Sequence, residues 1–186
     1  MHKEAPLRAD ARHNRERILA AAEQVFMEQG GGASLEAVAR RAGVGIGTLY
    51  RRFPTREALL AATYSERLLA FAQACHAGAA ALDPRSALRA YVEGLVARIN
   101  LYRGLAASLG TVLQSGTPGC AAVSEVGATL LRQARDSGAV RADLGFNDLV
   151  CIITAIALAN EQEGQSHARG ERLVGIFFDG VGTQPA

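Results

Sequence analysis

The sequence lacks the long apolar segment that a membrane helix or an export signal requires. Its first twenty residues are charged and contain no apolar core of the signal-peptide kind. The longest strongly apolar window, Leu149 to Ala159, is too short to cross a bilayer and contains Thr154. We therefore expect a cytoplasmic protein with no membrane partner, in which this window forms a buried helix.

Cysteine is scarce, and its arrangement does not match a metal site or a disulfide framework. Cys75, Cys120 and Cys151 are widely spaced, and none belongs to a CxxC pair or lies at metal-ligand spacing from a histidine pair. Each lies among alanine, valine or isoleucine. We therefore expect three small buried side chains in a reducing compartment, rather than redox sensors.

A catalytic grouping is missing as well. No nucleophile–base pair, metal cluster or pair of carboxylates stands out from the rest of the sequence. The sequence therefore predicts a protein that is not an enzyme and that uses no metal and no cofactor.

Strand patterns are scarce, whereas helical patterns dominate. No long βαβ pattern is present, and apolar residues recur at steps of three and four in most windows. The clearest periodicity lies in residues 87–104. Its continuous apolar face consists of Leu88, Tyr91, Val92, Leu95, Val96, Ile99 and Tyr102. The sequence therefore predicts an all-α fold.

Glycines, prolines and capping residues divide the chain into helices. The first helix is predicted to begin at about Ala11 or Arg15 and to end at a run of three glycines. Ser34 is the predicted N-cap of a second helix that Gly43 ends, and Thr55 is the predicted cap of a fourth. Helices are further predicted at residues 45–52, 56–80, 84–103, 105–114, 119–137, 146–163 and 169–181.

Positive charge is concentrated in one short stretch. Residues 40–56 contain five arginines and no acidic residue, whereas acidic residues slightly outnumber arginines in residues 58–186. The five are Arg40, Arg41, Arg51, Arg52 and Arg56. Such a local basic surface is typical of a nucleic-acid contact, and the alternative is a solvated helix surface.

The glycines of GVGIGTLYRRF, residues 43–53, raise the question of a phosphate-binding loop. Such a loop follows a strand, but the preceding residues are helical here and the spacing is GxGxG rather than GxGxxG. A helix-turn-helix uses the same residues better. Ala39 and Gly43 are small enough for two helices to cross, and Leu49 locks the second helix from inside. The opposite face of that helix then meets DNA.

Three segments resemble the N-terminal domain of TetR-family transcription regulators: RERILAAAEQVFMEQG, SLEAVARRAGVGIGTLYRRF and PTREALL. The resemblance covers about residues 10–62. It implies that Thr48 and Tyr50 contact phosphates or thymine methyl groups in the major groove. It also implies that Arg52 and Arg56 hold the DNA backbone.

The tip of the implied recognition helix departs from the family pattern. Gly45, Ile46 and Gly47 stand where many members have polar or bulkier residues, so few side-chain hydrogen bonds come from there. Base reading is then expected from neighbouring arginines: Arg51, Arg40 or Arg41, or Arg8 and Arg12 near the N-terminus. Together, the predicted DNA-binding residues are Ser34, Arg40, Arg41, Gly47, Thr48, Tyr50, Arg51, Arg52 and Arg56.

The resemblance also implies an organisation and a function. It divides the chain into a flexible N-terminal arm (1–9), a helix-turn-helix DNA-binding domain (10–57) and a larger helical ligand-binding and dimerisation domain (58–186). The implied function is a repressor that binds a palindromic double-stranded DNA operator as a homodimer and is released by a small-molecule ligand. The alternative is an architectural or activator protein without an effector.

Candidate residues in the helical domain come from two sources. Polar or aromatic groups on otherwise apolar faces suit a ligand: Phe71, Tyr91, Arg98, Tyr102, Gln114 and Thr154. Of these, Arg98 suits an acidic ligand.

The family forms its dimer from the last two long helices, which match residues 147–163 and 169–181 here. Their apolar members are Leu149, Ile152, Ile153, Ile156, Leu173, Ile176 and Phe177. The alternative is that these helices close only the core of their own subunit.

Overall fold

Helices make up most of the described chain, as the sequence predicts. The computed structural model describes residues 4–101, 105–162 and 167–182. The helices are α1 (Glu4–Gln29), α2 (Leu35–Ala42), α3 (Ile46–Arg52), α4 (Arg56–Ala79), α5 (Pro84–Leu101), α6 (Leu109–Leu113), α7 (Pro118–Asp136), α8 (Phe146–Gln162) and α9 (His167–Val181). Within these ranges, strand-like pairing is limited to an isolated bridge between Val140 and Gly182. The prediction of an all-α fold is confirmed. None of the helices in the described ranges is long and apolar enough to cross a bilayer.

The N-terminal helices pack around an apolar core. The buried residues of α1 and α2 include Ile18, Ala22, Val25, Phe26, Leu35, Val38, Ala39 and Ala42. Leu49 of α3 is fully buried against them, as predicted for the residue that locks the second helix of a helix-turn-helix. Burying a leucine side chain stabilises a fold by about 1.5 to 3 kcal/mol. This contact therefore holds α3 in place and leaves its other face exposed.

Helix α1 begins earlier than the sequence predicts. It starts at Glu4 rather than within residues 11–15. Pro6 falls in the first turn, where a helix tolerates a residue without an N–H group, so this proline does not stop the helix. Residues 4–9 of the predicted arm are therefore helical, and residues 1–3 lie outside the described part of the chain.

Two predicted caps lie where the sequence places them. The Ser34 hydroxyl accepts a hydrogen bond from the Ala37 N–H at 3.1 Å, and the Thr55 hydroxyl accepts one from the Ala58 N–H at 3.1 Å. Each cap satisfies a backbone donor that would otherwise have no partner inside the helix and contributes about 1 kcal/mol. The boundaries of α2 and α4 are therefore set by local chemistry.

Helix α4 leads from the helix-turn-helix into the C-terminal helices and crosses α7 closely. The Gly119 N–H donates to the Ser65 hydroxyl at 3.0 Å, and a Cβ atom at Gly119 would lie 1.9 Å from the Ser65 carbonyl oxygen. Only a glycine permits this approach of two backbones. An ion pair between Arg67 and Glu23 further ties α4 to α1. Both contacts lie in the middle of α4, at Ser65 and Arg67.

Helix α8 is apolar on several sides, and the structure shows which side is internal. Leu149 and Ile153 are fully buried, whereas Cys151 is exposed. The prediction of three buried cysteines is therefore wrong for Cys151. The sequence did not reveal this, because a helix that is apolar all round gives no sign of its outer face.

Candidate nucleic-acid interface and helical-domain cavities

The turn between α2 and α3 depends on a glycine in the left-handed region. Gly43 has φ 63° and ψ 36°, and its N–H donates to the Arg40 carbonyl at 3.1 Å. The Val44 N–H donates to the Ala39 carbonyl at 3.0 Å. These two bonds satisfy the last carbonyls of α2 and turn the chain sharply into α3. The turn predicted from GVGIG is therefore present.

Arg17 of α1 supports the same turn, and sequence reasoning missed it. Its guanidinium donates to the Ala42 carbonyl at 2.6 Å, at the C-terminal end of α2 where positive charge is favourable. The two residues are far apart in sequence, so no local pattern could have revealed the contact. Arg17 therefore links the first helix to the helix-turn-helix.

Replacing Gly43 by alanine is expected to destabilise the protein by about 1 to 2 kcal/mol, because a side chain is unfavourable in the left-handed region. The new Cβ would also lie 2.5 Å from the Arg17 guanidinium, which must move. Thermal unfolding measures the effect. The control is Gly47→Ala, since Gly47 lies within α3 and a Cβ atom there would meet no other atom within 4 Å. Equal melting temperatures for both variants would contradict the expectation.

The outer side of α3 presents mixed hydrogen-bonding groups. Tyr50, Arg51 and Arg52 are exposed, and Thr48 is half-buried. Arg51 donates to the Thr48 hydroxyl at 3.1 Å, which holds the guanidinium along the helix surface. Hydroxyl, phenol and guanidinium groups on one helix suit contacts with phosphates and base edges.

The tip of α3 is open. A Cβ atom built at Gly45 or at Gly47 would meet no other atom within 4 Å. The fold therefore does not require glycine at either position. Ile46 between them is exposed, so the tip presents backbone and one apolar side chain.

The predicted arginines have different surroundings. Arg40 is exposed, whereas Arg41 donates to the Glu28 carboxylate at 2.6 Å, and this bond lowers the pKa of Glu28. Arg56 is half-buried and donates to the carbonyls of Gly31 and Ala33, each at 2.5 Å. Arg56 thus stabilises the turn between α1 and α2, a role that its implied phosphate contact did not predict.

Three predicted ligand residues meet in a cavity of about 260 Å³ between α4 and α5. Phe71 and Tyr91 are buried and stack with their ring centroids 5.8 Å apart. The guanidinium of Arg98 lies 4.1 Å from the Phe71 ring centroid and donates to the Gly94 carbonyl at 3.0 Å. We call this space the Arg98 cavity, because Arg98 is the charged group that lines it.

The Tyr91 ring lines the Arg98 cavity, but its hydroxyl bonds to the core. Its hydroxyl donates to the Val123 carbonyl at 3.1 Å, and burial raises its pKa well above the usual range. It therefore remains a neutral hydrogen-bond donor that joins α5 to α7.

The other predicted ligand residues do not join this group. Gln114 is exposed at the C-terminal end of α6. The Thr154 hydroxyl donates to the Val150 carbonyl at 2.8 Å, within its own helix. Tyr102 lies outside the described residues. Of the six candidate ligand residues, Phe71, Tyr91 and Arg98 are therefore the ones that lie together in the described part of the chain.

A larger groove of about 550 Å³ lies between α4 and α7. Alanines, including Ala72 and Ala122, form much of its floor. Its polar lining residues include Glu125, Thr129 and His76. We call it the α4/α7 groove. Sequence reasoning missed it, because alanines that leave space between two helices look like ordinary helix residues.

The predicted dimer residues divide into an inner and an outer set. Leu149, Ile153 and Ile156 are buried within their own chain, as the alternative of a core position describes. The outer set is partly or largely accessible and consists of Ile152, Leu173, Ile176 and Phe177. Residues three and four apart share a helix side, which explains why the inner three turn inward together.

Two family models match the chain. The model of bacterial regulatory proteins of the tetR family matches residues 18–63, and that of the SbtR-like transcriptional regulator C-terminal domain matches residues 83–183. The first match contains the turn and α3, and the second contains α5 to α9. No curated protein sequence matches the chain.

Solved structures are similar along most of the chain. A TetR transcriptional regulator from Streptomyces coelicolor is 36% identical, with 92% of this chain and 99% of that chain covered and a TM-score of 0.56. RolR in complex with resorcinol is 20% identical, with 95% and 91% covered and a TM-score of 0.65. FadR from Bacillus subtilis in complex with stearoyl-CoA is 18% identical, with 89% and 98% covered and a TM-score of 0.61. The last two are alike in fold.

Proposed function

Because the chain belongs to the TetR family of bacterial transcriptional regulators, we propose that it represses transcription as a homodimer on a palindromic operator and is released by a small-molecule ligand. It is a DNA-binding regulator by family. One observation carries the proposed DNA contact: the glycine turn and buried Leu49 hold α3 so that a face of hydroxyl, phenol and guanidinium groups points outward. This regulator acts in the cytoplasm and is not an enzyme.

The proposed division of labour follows the helices. Residues 10–57 bind DNA and residues 58–186 bind the ligand and the second subunit. A single half-site offers too few base contacts for useful specificity, so two α3 helices must enter successive major grooves about one helical turn apart. Ser34, exposed at the N-terminus of α2, contacts a phosphate in this arrangement.

Selection of bound sequences from random duplexes tests the operator. The expected result is a palindrome whose half-sites are separated by about one helical turn. A selection that yields no common sequence, together with binding that depends steeply on salt, would instead support the architectural alternative.

We expect Arg51→Ala to weaken binding to the selected operator by about tenfold while leaving binding to random duplex nearly unchanged. Its guanidinium lies on the outer side of α3 beside Thr48, where base edges are within reach. Arg52→Ala, at an exposed position of the same helix that the family resemblance assigns to the DNA backbone, serves as the comparison. It should weaken both duplexes alike and reduce the salt slope by about one.

Fluorescence anisotropy titrations at several salt concentrations measure both variants. If Arg51→Ala lost equal affinity for the operator and for random duplex, Arg51 would not be a base-reading residue. Arg56→Ala is unsuitable as the phosphate comparison, because losing its bonds to Gly31 and Ala33 would also disturb the α1–α2 turn.

Ligand release is supported by space for a small molecule beside α4. The Arg98 cavity offers a guanidinium next to an aromatic ring, which suits a ligand with a carboxylate. RolR and FadR share the fold, and their structures contain resorcinol and stearoyl-CoA, respectively. Release of the selected duplex by a compound that binds the purified protein tests this part of the proposal.

A further inference from the structure

The α4/α7 groove is a second space beside α4, separate from the Arg98 cavity. The two lie on different sides of α4, and Ala79 lines both. The volume of the groove, about 550 Å³, falls within the range of small-molecule sites, which is roughly 300 to 1,000 Å³. Its floor of small apolar side chains suits the apolar body of a ligand.

Charge distinguishes the two spaces. The α4/α7 groove is lined by the carboxylate of Glu125 and by no arginine or lysine. Glu125 forms no hydrogen bond or ion pair with any residue that the structure describes. The Arg98 cavity has the opposite charge. A ligand with an ammonium group would therefore be attracted to Glu125 and repelled from Arg98.

The groove also lies where binding can reach the DNA-binding helices. Its wall α4 begins at Arg56, and a short segment, residues 53–55, joins it to α3. The close crossing of α4 and α7 at Ser65 and Gly119 lies between the groove and that end of α4. A ligand that widens the groove would therefore displace the C-terminal half of α4 relative to the Ser65–Gly119 contact. The N-terminal end of α4, on the other side of that contact, is joined to α3.

We infer that the α4/α7 groove is an effector site for a hydrophobic amine, whose ammonium group meets Glu125 and whose apolar body lies on the alanine floor. The effect of the amine on DNA binding rests on the proposed function, whereas the binding of the amine to the groove does not depend on it. An effector with these properties binds less tightly to the DNA-bound form, since the coupling between the two ligands is reciprocal.

A matched pair of fluorescent probes tests the binding step in the absence of DNA. Dansylcadaverine ends in an amine, and dansyl-6-aminohexanoic acid ends in a carboxylate on a similar chain. The purified full-length protein should enhance and blue-shift the emission of the amine probe. Glu125→Gln should weaken that binding by about fivefold. Glu125→Lys should reverse the preference, so that the acid probe binds better than the amine.

The matched control is Glu66→Gln, which removes the same charge from an exposed position on α4 outside the groove. It should leave amine binding unchanged. Equal affinity of the amine for wild type and Glu125→Gln, or tighter binding of the acid to wild type, overturns the assignment.

Adding the selected duplex separates the two proposals. Release of the duplex by the amine probe from wild type, but not from Glu125→Lys, supports the effector site. A duplex retained at saturating amine overturns the effector role of the groove. Failure to select any operator refutes the regulator proposal instead, and the probe titrations without DNA still decide whether the groove binds amines.

Discussion

Replacing Gly119 by alanine is expected to destabilise the protein by about 3 kcal/mol, because the new Cβ would lie 1.9 Å from the Ser65 carbonyl oxygen. Neither backbone can move without separating α4 from α7. For a chain of this size, the loss corresponds to a fall in melting temperature of roughly 6 to 12 °C. Differential scanning calorimetry measures it directly.

The matched control for Gly119 is Gly78→Ala near the end of α4. A Cβ atom there would meet no other atom within 4 Å, so alanine should stabilise the helix by up to about 0.5 kcal/mol. If both variants melted at the wild-type temperature, the crossing would not be as tight as described. The comparison separates the close contact from the general preference of helices for alanine.

Replacing Ile176 by glutamate is expected to convert the proposed dimer into monomers and to reduce affinity for the proposed operator by about 100-fold or more, because two linked half-site contacts become independent. Ile176 is 58% exposed on α9, and the half-buried Leu173 and Phe177 lie beside it. A buried, unpaired carboxylate at a subunit interface is strongly unfavourable. Light scattering and operator titration measure the two effects.

The same substitution at Met27 provides the control for dimerisation. Met27 is 56% exposed on α1, away from α8 and α9, so Met27→Glu should remain a dimer in light scattering. A wild-type protein that is monomeric at working concentration would refute the dimer altogether. A dimeric Ile176→Glu would place the interface elsewhere.

Local signals explain what the sequence predicted well. The helix caps, the glycine turn and the burial of Leu49 each depend on residues close together in the chain. Periodic apolar residues likewise predicted most of the long helices of the fold. Such features follow from the chemistry of a few neighbours, so one sequence suffices to find them.

Long-range contacts explain which features the sequence predicted badly. The bond of Arg17 to Ala42 and the bonds of Arg56 to the α1–α2 turn join distant residues, so no spacing rule exposes them. The inner face of α8 was ambiguous, because apolar residues surround that helix. The α4/α7 groove lies where α4 and α7 are no longer in contact, and the position of that separation depends on how the whole molecule packs.

The open tip of α3 separates operator choice from folding. Since a Cβ atom at Gly45 or Gly47 would meet no other atom within 4 Å, substitutions there would change the proposed contact of α3 with a base pair and leave the packed core as it is. Single changes at these positions can therefore alter the proposed DNA contact without first requiring added stability to tolerate them. The same property makes Gly47 the natural position to diversify when the protein is redirected to a chosen DNA sequence.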